Sequence, residues 1–197
     1  AQLMGHDAEL STDNRQRVNT INRAGQHLLA LINDVLEISR IEAGRVSLQT
    51  VACNLREALA GIEDIIGSRA AEKGLTFFVE RSGDIPDYVL ADCHRIKQVL
   101  INLLGNAVKY TDSGRVLLRL TGQVGSIRFE VLDTGPGMSS HEQAQLFQAF
   151  YQTPLGLAKG EGTGLGLTIS REFGRLMGGD LRVASESGWG CVFSFTL

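Results

Sequence analysis

Several features that mark secreted or membrane proteins are scarce in this chain of 197 residues. The 3 cysteines lie far apart without a Cys-x-x-Cys pair, a pattern that predicts neither a disulfide scaffold nor a zinc site. We therefore expect Cys53, Cys93 and Cys191 to be free thiols in a reducing compartment. No apolar run approaches the roughly 18 residues that cross a bilayer, and the polar start 1–7 is not a signal peptide.

Positive charge is also scarce, since the formal net charge is -3 and lysine occurs at four positions, Lys73, Lys97, Lys109 and Lys159. This balance disfavours a general nucleic-acid or membrane-surface binder. The hydrophobic content of 43% and charged content of 21% are those of a globular protein and exclude disorder. Glycine is plentiful instead, with 23 residues, many of which crowd into the last third of the chain.

The N-terminal part, residues 1–44, predicts one long helix that starts near Ser11 and ends at Gly44. Apolar or small residues follow a heptad seam at Val18, Ile21, Gly25, Leu28, Ile32 and Val35, with a second stripe at Ala24, Leu31 and Ile38. An apolar face of this width suits a helical bundle, whereas a solvent-bridging linker helix would be narrower.

Residues 45–197 predict a second domain of mixed α and β structure. We expect helices at 54–74, 92–110, 139–147 and 165–177, and strands at 46–48, 75–80, 116–121, 127–132, 180–185 and 192–197. The stretch 151–162 is polar and contains glycine, which predicts a loop. The expected fold class is α/β.

Asn102 and Asn106 lie one turn apart on the same predicted helical face, with Lys109 and Tyr110 on or beside it. Amide oxygens can complete the ligand shell of a phosphate-bound magnesium ion, and a lysine one turn on can neutralise phosphate oxygens. Taken alone, two asparagines on a helix equally fit a solvated surface.

Two glycine-rich segments follow. Asp133–Met138 comes directly after a predicted strand, where its acid could accept hydrogen bonds from an exocyclic amine, although an ordinary Asp-initiated turn has the same pattern. Gly160–Leu167 opens a helix and could present free N–H groups to phosphate, or be a plain flexible loop. The chain has no Gly-Lys dipeptide and no Gly-x-Gly-x-x-Gly after a strand, which excludes Walker and Rossmann loops.

In combination, these segments resemble the sensor histidine kinases of two-component systems. Residues 92–111 are similar to the N box of that family, 133–138 to its first glycine box, 146–150 to its phenylalanine box and 162–167 to its second glycine box. The closing pattern at 178–195 is also similar, and residues 15–44 resemble the second helix of the dimerisation and histidine-phosphotransfer domain. Five motifs occur in the order of the family.

The resemblance implies a GHKL (Bergerat) ATP-binding fold: an open α/β sandwich with a mixed sheet packed under helices, shared with gyrase, mismatch-repair and chaperone ATPases. The long N-terminal helix would belong to a helical bundle. The implied ligands are ATP and Mg²⁺. The implied nucleotide contacts are Asn102, Asn106, Lys109, Tyr110, Asp133, Gly135, Gly137, Met138, Phe150, Gly162, Thr163, Gly164, Leu165, Gly166 and Leu167.

The resemblance also implies individual roles. Asn106 would bind magnesium with support from Asn102, and Asn106 and Lys109 would be the catalytic residues. Asp133 would read the adenine amine, while Gly135 and Gly137 would let the ring approach. Residues 151–161 would be a lid over ATP, hinged at 162–166, with Phe147 and Phe150 packed under it.

The phosphoacceptor is where the sequence departs from the family. His27, His94 and His141 lie in the wrong motifs, and His6 lacks the basic and proline residues that follow a phosphoaccepting histidine. We therefore expect the acceptor upstream of Ala1, with membrane anchoring, if any, also upstream and this portion cytoplasmic. The implied partners are a second copy, through the bundle, and a response-regulator receiver domain. Two alternatives remain open: a regulatory module that binds ATP without transfer, and a GHKL serine kinase or ATPase.

Overall fold

A computed structural model describes residues 12–160 and 162–197. The predicted cap at Ser11, the segment 1–4 and His6 lie outside the described residues. The elements are α1 (Thr12–Glu42), β1 (Val51–Asn54), α2 (Leu55–Glu72), β2 (Thr76–Ser82), β3 (Tyr88–Ala91), α3 (Cys93–Tyr110), β4 (Arg115–Gln123), β5 (Ser126–Asp133), α4 (Ser140–Gln145), α5 (Pro154–Lys159), α6 (Gly166–Leu176), β6 (Arg182–Glu186) and β7 (Gly190–Thr196).

A mixed five-stranded sheet in the order β2-β4-β5-β7-β6 forms one layer of the fold. Only the β2–β4 pair is parallel in this sheet. One face is apolar because alternate strand residues such as Leu118, Phe129 and Phe195 point into the core, where α2, α3 and α6 cover them. The opposite face carries charged pairs, including Arg119 with Glu80. The open α/β sandwich with a mixed sheet under helices is confirmed.

The central helix α3 begins at Asp92, whose carboxylate accepts the Arg95 N–H at 3.1 Å and the Gln49 N–H at 2.9 Å. Seven apolar residues on one face of the helix are buried, namely Ile96, Val99, Leu100, Leu103, Leu104, Ala107 and Val108. Burial of this face against the sheet and α2 fixes the rotation of the helix about its axis.

The long helix α1 is also confirmed, and Gly44 follows its end with a φ of 63°. Ile38 and Ile41 pack against the hydrophobic core. Most of the predicted seam is exposed, including Ile21, Leu28, Ile32 and Val35, so this apolar face stands available for a bundle partner. In the described ranges, no helix has the length and apolarity to cross a membrane.

Three expectations about local structure are wrong. Cys53 and Cys93 are joined as a disulfide, because β1 pairs with β3 and α3 starts just after β3, which brings the two Cα atoms within 5.4 Å; Cys191 alone matches the predicted free thiol. Residues 46–48 form no strand, and the first strand is β1 instead. The predicted loop 151–162 contains α5, which starts at the Thr153 cap with Pro154 in its first turn.

The core predicts a clear difference between two phenylalanines. The Phe129 ring is buried and stacked on Phe195 with centroids 4.8 Å apart, so Phe129→Ala should lower the free energy of unfolding by about 3–5 kcal/mol. Phe150 is 63% exposed, and the same substitution there should change it by less than about 0.5 kcal/mol. Urea denaturation measures both values, and equal losses would contradict the assigned core.

Candidate functional site

A cavity of about 850 Å³ opens along the polar edge of α3, with walls from α1, the segment after β5 and the segment before α6. Most residues that the sequence predicted for nucleotide contact line it. They are Asn102, Asn106, Lys109, Tyr110, Asp133, Gly137, Met138, Gly162, Thr163, Gly164, Gly166 and Leu167. The fold thus brings together residues that are up to 65 positions apart in the sequence, from Asn102 to Leu167.

Three predicted contacts do not line this cavity. Leu165 is fully buried in the hydrophobic core, and Gly135 is buried beneath Asp133. Phe150 is exposed and has a left-handed φ of 64°, with its N–H bonded to the Gly164 carbonyl at 3.0 Å. It does not pack under the segment 151–161 as expected, whereas Phe147 is partly buried against the core.

The polar edge of α3 presents two amides and an ammonium group to the cavity. Asn102 donates from Nδ2 to the buried Ser170 hydroxyl at 2.8 Å, which orients its amide. A Cβ on Gly166 would lie 2.6 Å from Asn102 Oδ1, so a larger residue there would have to displace the Asn102 amide. The Lys109 ammonium lies 4.9 Å from the centroid of the Tyr110 ring.

Asp133 ends β5 in a half-buried position at the other side of the cavity. Its Oδ1 accepts the Gly135 N–H at 2.9 Å, and the Cys191 N–H and thiol also donate to it. Burial raises the pKa of Asp133 above its usual value, although these hydrogen bonds oppose the shift. The arrangement fixes a carboxyl acceptor whose orientation is set before any ligand arrives.

Cys191 belongs to the same polar group, with its Sγ 3.3 Å from the Ser185 hydroxyl. Burial raises the pKa of this thiol to about 11, so it is a neutral hydrogen-bond donor at physiological pH. The Ser185 hydroxyl in turn accepts the Met138 N–H at 2.9 Å. This network ties the segment after β5 to the β6–β7 turn.

Gly135 and Gly137 were predicted to let a flat ligand approach. In the fold, each glycine is required by the protein itself. A Cβ on Gly137 would overlap the Glu186 carbonyl oxygen, and one on Gly135 would lie 2.9 Å from Asp133 Oδ1. Gly137 does line the cavity, but its φ of 68° serves the close contact with the β6–β7 turn.

The cavity suits a metal that arrives with its ligand rather than one held by the chain alone. Among the described residues, no group of three or more His, Cys, Asp or Glu side chains could hold a metal ion. Asn102 and Asn106 offer amide oxygens, which are hard and neutral. Such a donor set fits Mg²⁺ that keeps most of its ligands from phosphate and water.

Sequence reasoning missed the contribution of α1. His27, Ala30 and Asp34 line the cavity, and the Thr163 hydroxyl donates to Asp34 Oδ2 at 2.7 Å. The spacing of three and four residues places them on one helical face, which is the signal that could have found them. An ion pair between Glu37 of α1 and Arg95 of α3 is a further polar contact of α1. The Glu37 Oε1 and Arg95 Nη1 atoms lie 2.9 Å apart, and both side chains are about one-fifth exposed.

Two family models match the chain. The model described as histidine kinase-, DNA gyrase B-, and HSP90-like ATPase matches residues 91–197. The model described as His Kinase A (phospho-acceptor) domain matches residues 1–44.

Several similar proteins are histidine kinases by name. The chain is 36% identical over 193 residues to the signal transduction histidine-protein kinase BarA of Escherichia coli K12, covering 95% of this chain and 21% of BarA. The chain thus spans about one-fifth of the length of that relative.

Solved structures of similar fold include full-length ShkA in complex with AMPPNP, with a TM-score of 0.82 and 36% identity over 96% of this chain and 39% of ShkA. Another is the histidine kinase ThkA in complex with the response regulator protein TrrA, with a TM-score of 0.75 and 25% identity over 99% of this chain and 55% of ThkA. Together with the fold and the cavity, these matches establish that the chain belongs to the family of histidine kinase-, DNA gyrase B-, and HSP90-like ATPases, and its relatives there are sensor histidine kinases.

Proposed function

We propose that this chain is the ATP-dependent protein-histidine kinase module of a two-component system. The observation that carries the proposal is the convergence of Asp133, Asn106 and Lys109 on one cavity. We assign residues 1–44 to the dimerisation and phosphotransfer domain and residues 45–197 to the catalytic domain. The structure of ShkA, which has a similar fold, is a complex with AMPPNP, and this supports an ATP-like ligand for the present chain.

Adenine recognition is assigned to Asp133. The carboxylate accepts hydrogen bonds only, so it favours a ring that presents an exocyclic amine. Because hydrogen bonds from Gly135 and Cys191 fix the orientation of the carboxylate, it needs little reorganisation when the base binds. Met138 and Leu167 line the same cavity and offer apolar contacts to the ring.

The phosphate end is assigned to the edge of α3 and the loop before α6. Lys109 would neutralise phosphate oxygens, while Asn106, supported by Asn102, would supply an amide oxygen to the metal. Mg²⁺ bound there would offset negative charge on the transferred phosphoryl group. The backbone of Gly162, Thr163, Gly164 and Gly166 lines the cavity before the start of α6, where helix N–H groups would donate to phosphate oxygens.

Phosphoryl transfer is assigned to a histidine of the phosphotransfer domain that precedes Ala1. A nitrogen of the imidazole ring forms the new P–N bond as the bond from the γ-phosphorus to the bridging oxygen breaks, and ADP keeps the electron pair. An acidic side chain next to the histidine accepts the imidazole proton. The catalytic domain contributes position and charge neutralisation rather than covalent chemistry.

The partners and the location follow from the same assignment. The exposed apolar residues of α1, such as Leu28, Ile32 and Val35, support dimerisation through a helical bundle. The ThkA–TrrA complex supports a response-regulator receiver domain as the partner that takes the phosphoryl group. We place this portion in the cytoplasm and expect it to bind no nucleic acid, with any membrane attachment through segments outside this chain.

Nucleotide recognition predicts a strong effect of Asp133→Asn. The change removes the charged acceptor for the adenine amine, so the affinity for both ATP and ADP should fall by about ten- to a hundredfold, or about 1.5–3 kcal/mol. Asp87→Asn is a matched control, because that carboxylate pairs with Arg56 on the surface at 2.7 Å and does not line the cavity. Calorimetric titration that finds unchanged affinity in Asp133→Asn would refute the adenine assignment.

Transfer is tested in trans, with a longer form of the same kinase that carries Asp133→Asn, at an ATP concentration too low for this weakened variant to bind and donate. Incubated with this acceptor and γ-labelled ATP, the 197-residue chain should place acid-labile, base-stable label on the longer partner and none on itself. Asn106→Ala should reduce the label at least about tenfold, because magnesium loses its amide ligand. Asn54→Asp should leave it unchanged, since Asp caps a helix as well as Asn.

The residue that carries the label decides between the kinase assignment and the alternatives. A label that maps to a histidine of the partner before Ala1 supports the kinase assignment. A label on His27, which lines the cavity, would place the acceptor on α1 instead. Nucleotide binding without label on either chain would favour the regulatory module that binds ATP without transfer.

A further inference from the structure

The short helix α5 is attached to the carboxyl end of α3 by the lysine at its own end. Lys159 Nζ donates to the Lys109 carbonyl at 2.9 Å and to Asp112 Oδ1 at 2.7 Å. The α3 helix ends at Tyr110, so the acceptors are a carbonyl of its last turn and a carboxylate just beyond it. A cation at this position also complements the negative end of the helix dipole.

A second lysine holds the same acceptors from the other side. Lys73, which follows α2, donates to the carbonyls of Val108, Lys109 and Thr111 at 2.7–2.9 Å, and its Nζ lies 3.4 Å from Asp112 Oδ1. Hydrogen bonding to Lys159, first of all, and then to Lys73 lowers the pKa of the Asp112 carboxyl below its usual value. Asp112 is therefore shared between the lysine that follows α2 and a lysine of α5.

Apart from this ion pair, α5 has little to hold it in place. Its buried residue is Gly156, where an added Cβ would lie 3.3 Å from the Tyr110 hydroxyl. The Leu157 side chain is exposed, and Leu155 faces the cavity without being buried. A six-residue helix with so little apolar burial depends on its polar contacts for its position.

The contact also touches the nucleotide machinery. The carbonyl that Lys159 holds belongs to Lys109, whose side chain reaches the cavity, and a Cβ on Gly162 would lie 3.4 Å from that ammonium group. Tyr110, the last residue of α3, contacts α5 and lines the cavity as well. The position of α5 and the orientation of the Lys109 side chain therefore both depend on the last turn of α3.

We propose that Lys159 and Asp112 form a latch that holds α5 closed beside the cavity and thereby sets how fast bound nucleotide leaves. Lys159 is a positioning residue, since it acts through α5 and the end of α3. The proposal rests on the proposed nucleotide binding. The latch is broken when Lys159 exchanges Asp112 for water, which frees α5 to move away from Tyr110.

The first test measures nucleotide dissociation by stopped flow, with a fluorescent ATP analogue chased by excess ATP. Lys159→Gln should raise the dissociation rate constant by about threefold to tenfold, because a partly exposed charged pair and one carbonyl hydrogen bond are lost. Lys159→Arg keeps the charge and should restore most of the slow release. Leu157→Ala is the matched control on the same helix and should leave the rate unchanged.

Asp112→Asn separates the latch from direct phosphate binding by Lys159. If Lys159 serves as a latch, Asp112→Asn speeds release, and the double variant with Lys159→Gln is no faster than the faster single variant. If Lys159 instead binds phosphate in solution, Asp112→Asn leaves release unchanged or slows it, because the lysine loses a competitor. That second result would overturn the latch.

A measurement without nucleotide keeps the test independent of the proposed function. Hydrogen–deuterium exchange of the amides in 154–160 should be about threefold to tenfold faster in Lys159→Gln than in the parent chain, while exchange in β4 and β5 stays the same. Equal exchange of 154–160 in both chains would overturn the latch even if nucleotide binds. Faster exchange in a chain that binds no nucleotide would support the latch and reject the function instead.

Discussion

Burial of the apolar face of α3 against the sheet and α2 is the interaction on which the site depends. Leu100, Leu103 and Leu104 are fully buried, and each turn of the helix adds another residue to the same face. With that face fixed, the periodicity of 3.6 residues directs Asn102, Asn106 and Lys109 to the adjacent edge, where the cavity opens. Loss of packing under α3 would therefore disorganise the amides and the ammonium group together.

Segments distant in sequence complete the cavity from around this fixed helix. Asp133 lies at the end of β5, on the sheet side of the cavity. Asp34 lies on α1, and its carboxylate accepts a hydrogen bond from the Thr163 hydroxyl in the loop before α6. The same loop is assigned to phosphate binding, so α1 and the nucleotide would contact the same loop. The hydrogen bond from Thr163 to Asp34 thus ties the loop before α6 to α1.

The sequence allowed prediction of the features that local rules control. The β-rich runs 116–121 and 127–132 predicted β4 and β5, and the helices expected from residues 54 and 92 correspond to α2 and α3. Most predicted contacts gather at one cavity because motif spacing reflects the order of the elements that carry them. Their individual roles stay predictions.

Other features depend on tertiary contacts that spacing does not reveal. The Cys53–Cys93 pair forms because β1 and β3 are neighbours in space at a separation of 40 residues. The α5 helix lies in a polar stretch, and its long-range ties run through Lys159. Phe150 was assigned to the site on resemblance alone, but the left-handed backbone at this residue leaves its ring exposed.

The comparison of ATP with GTP tests the central claim most directly, because the two ligands share their phosphates and sugar and differ only in the base. Guanine presents a carbonyl oxygen where adenine has its amine, so a fixed carboxylate acceptor at Asp133 would face another acceptor. Calorimetric titration of the unmodified chain should find ATP bound more than about tenfold more tightly than GTP. Equal affinity for the two nucleotides would contradict the account, since the carboxylate of Asp133 could not then be reading the base.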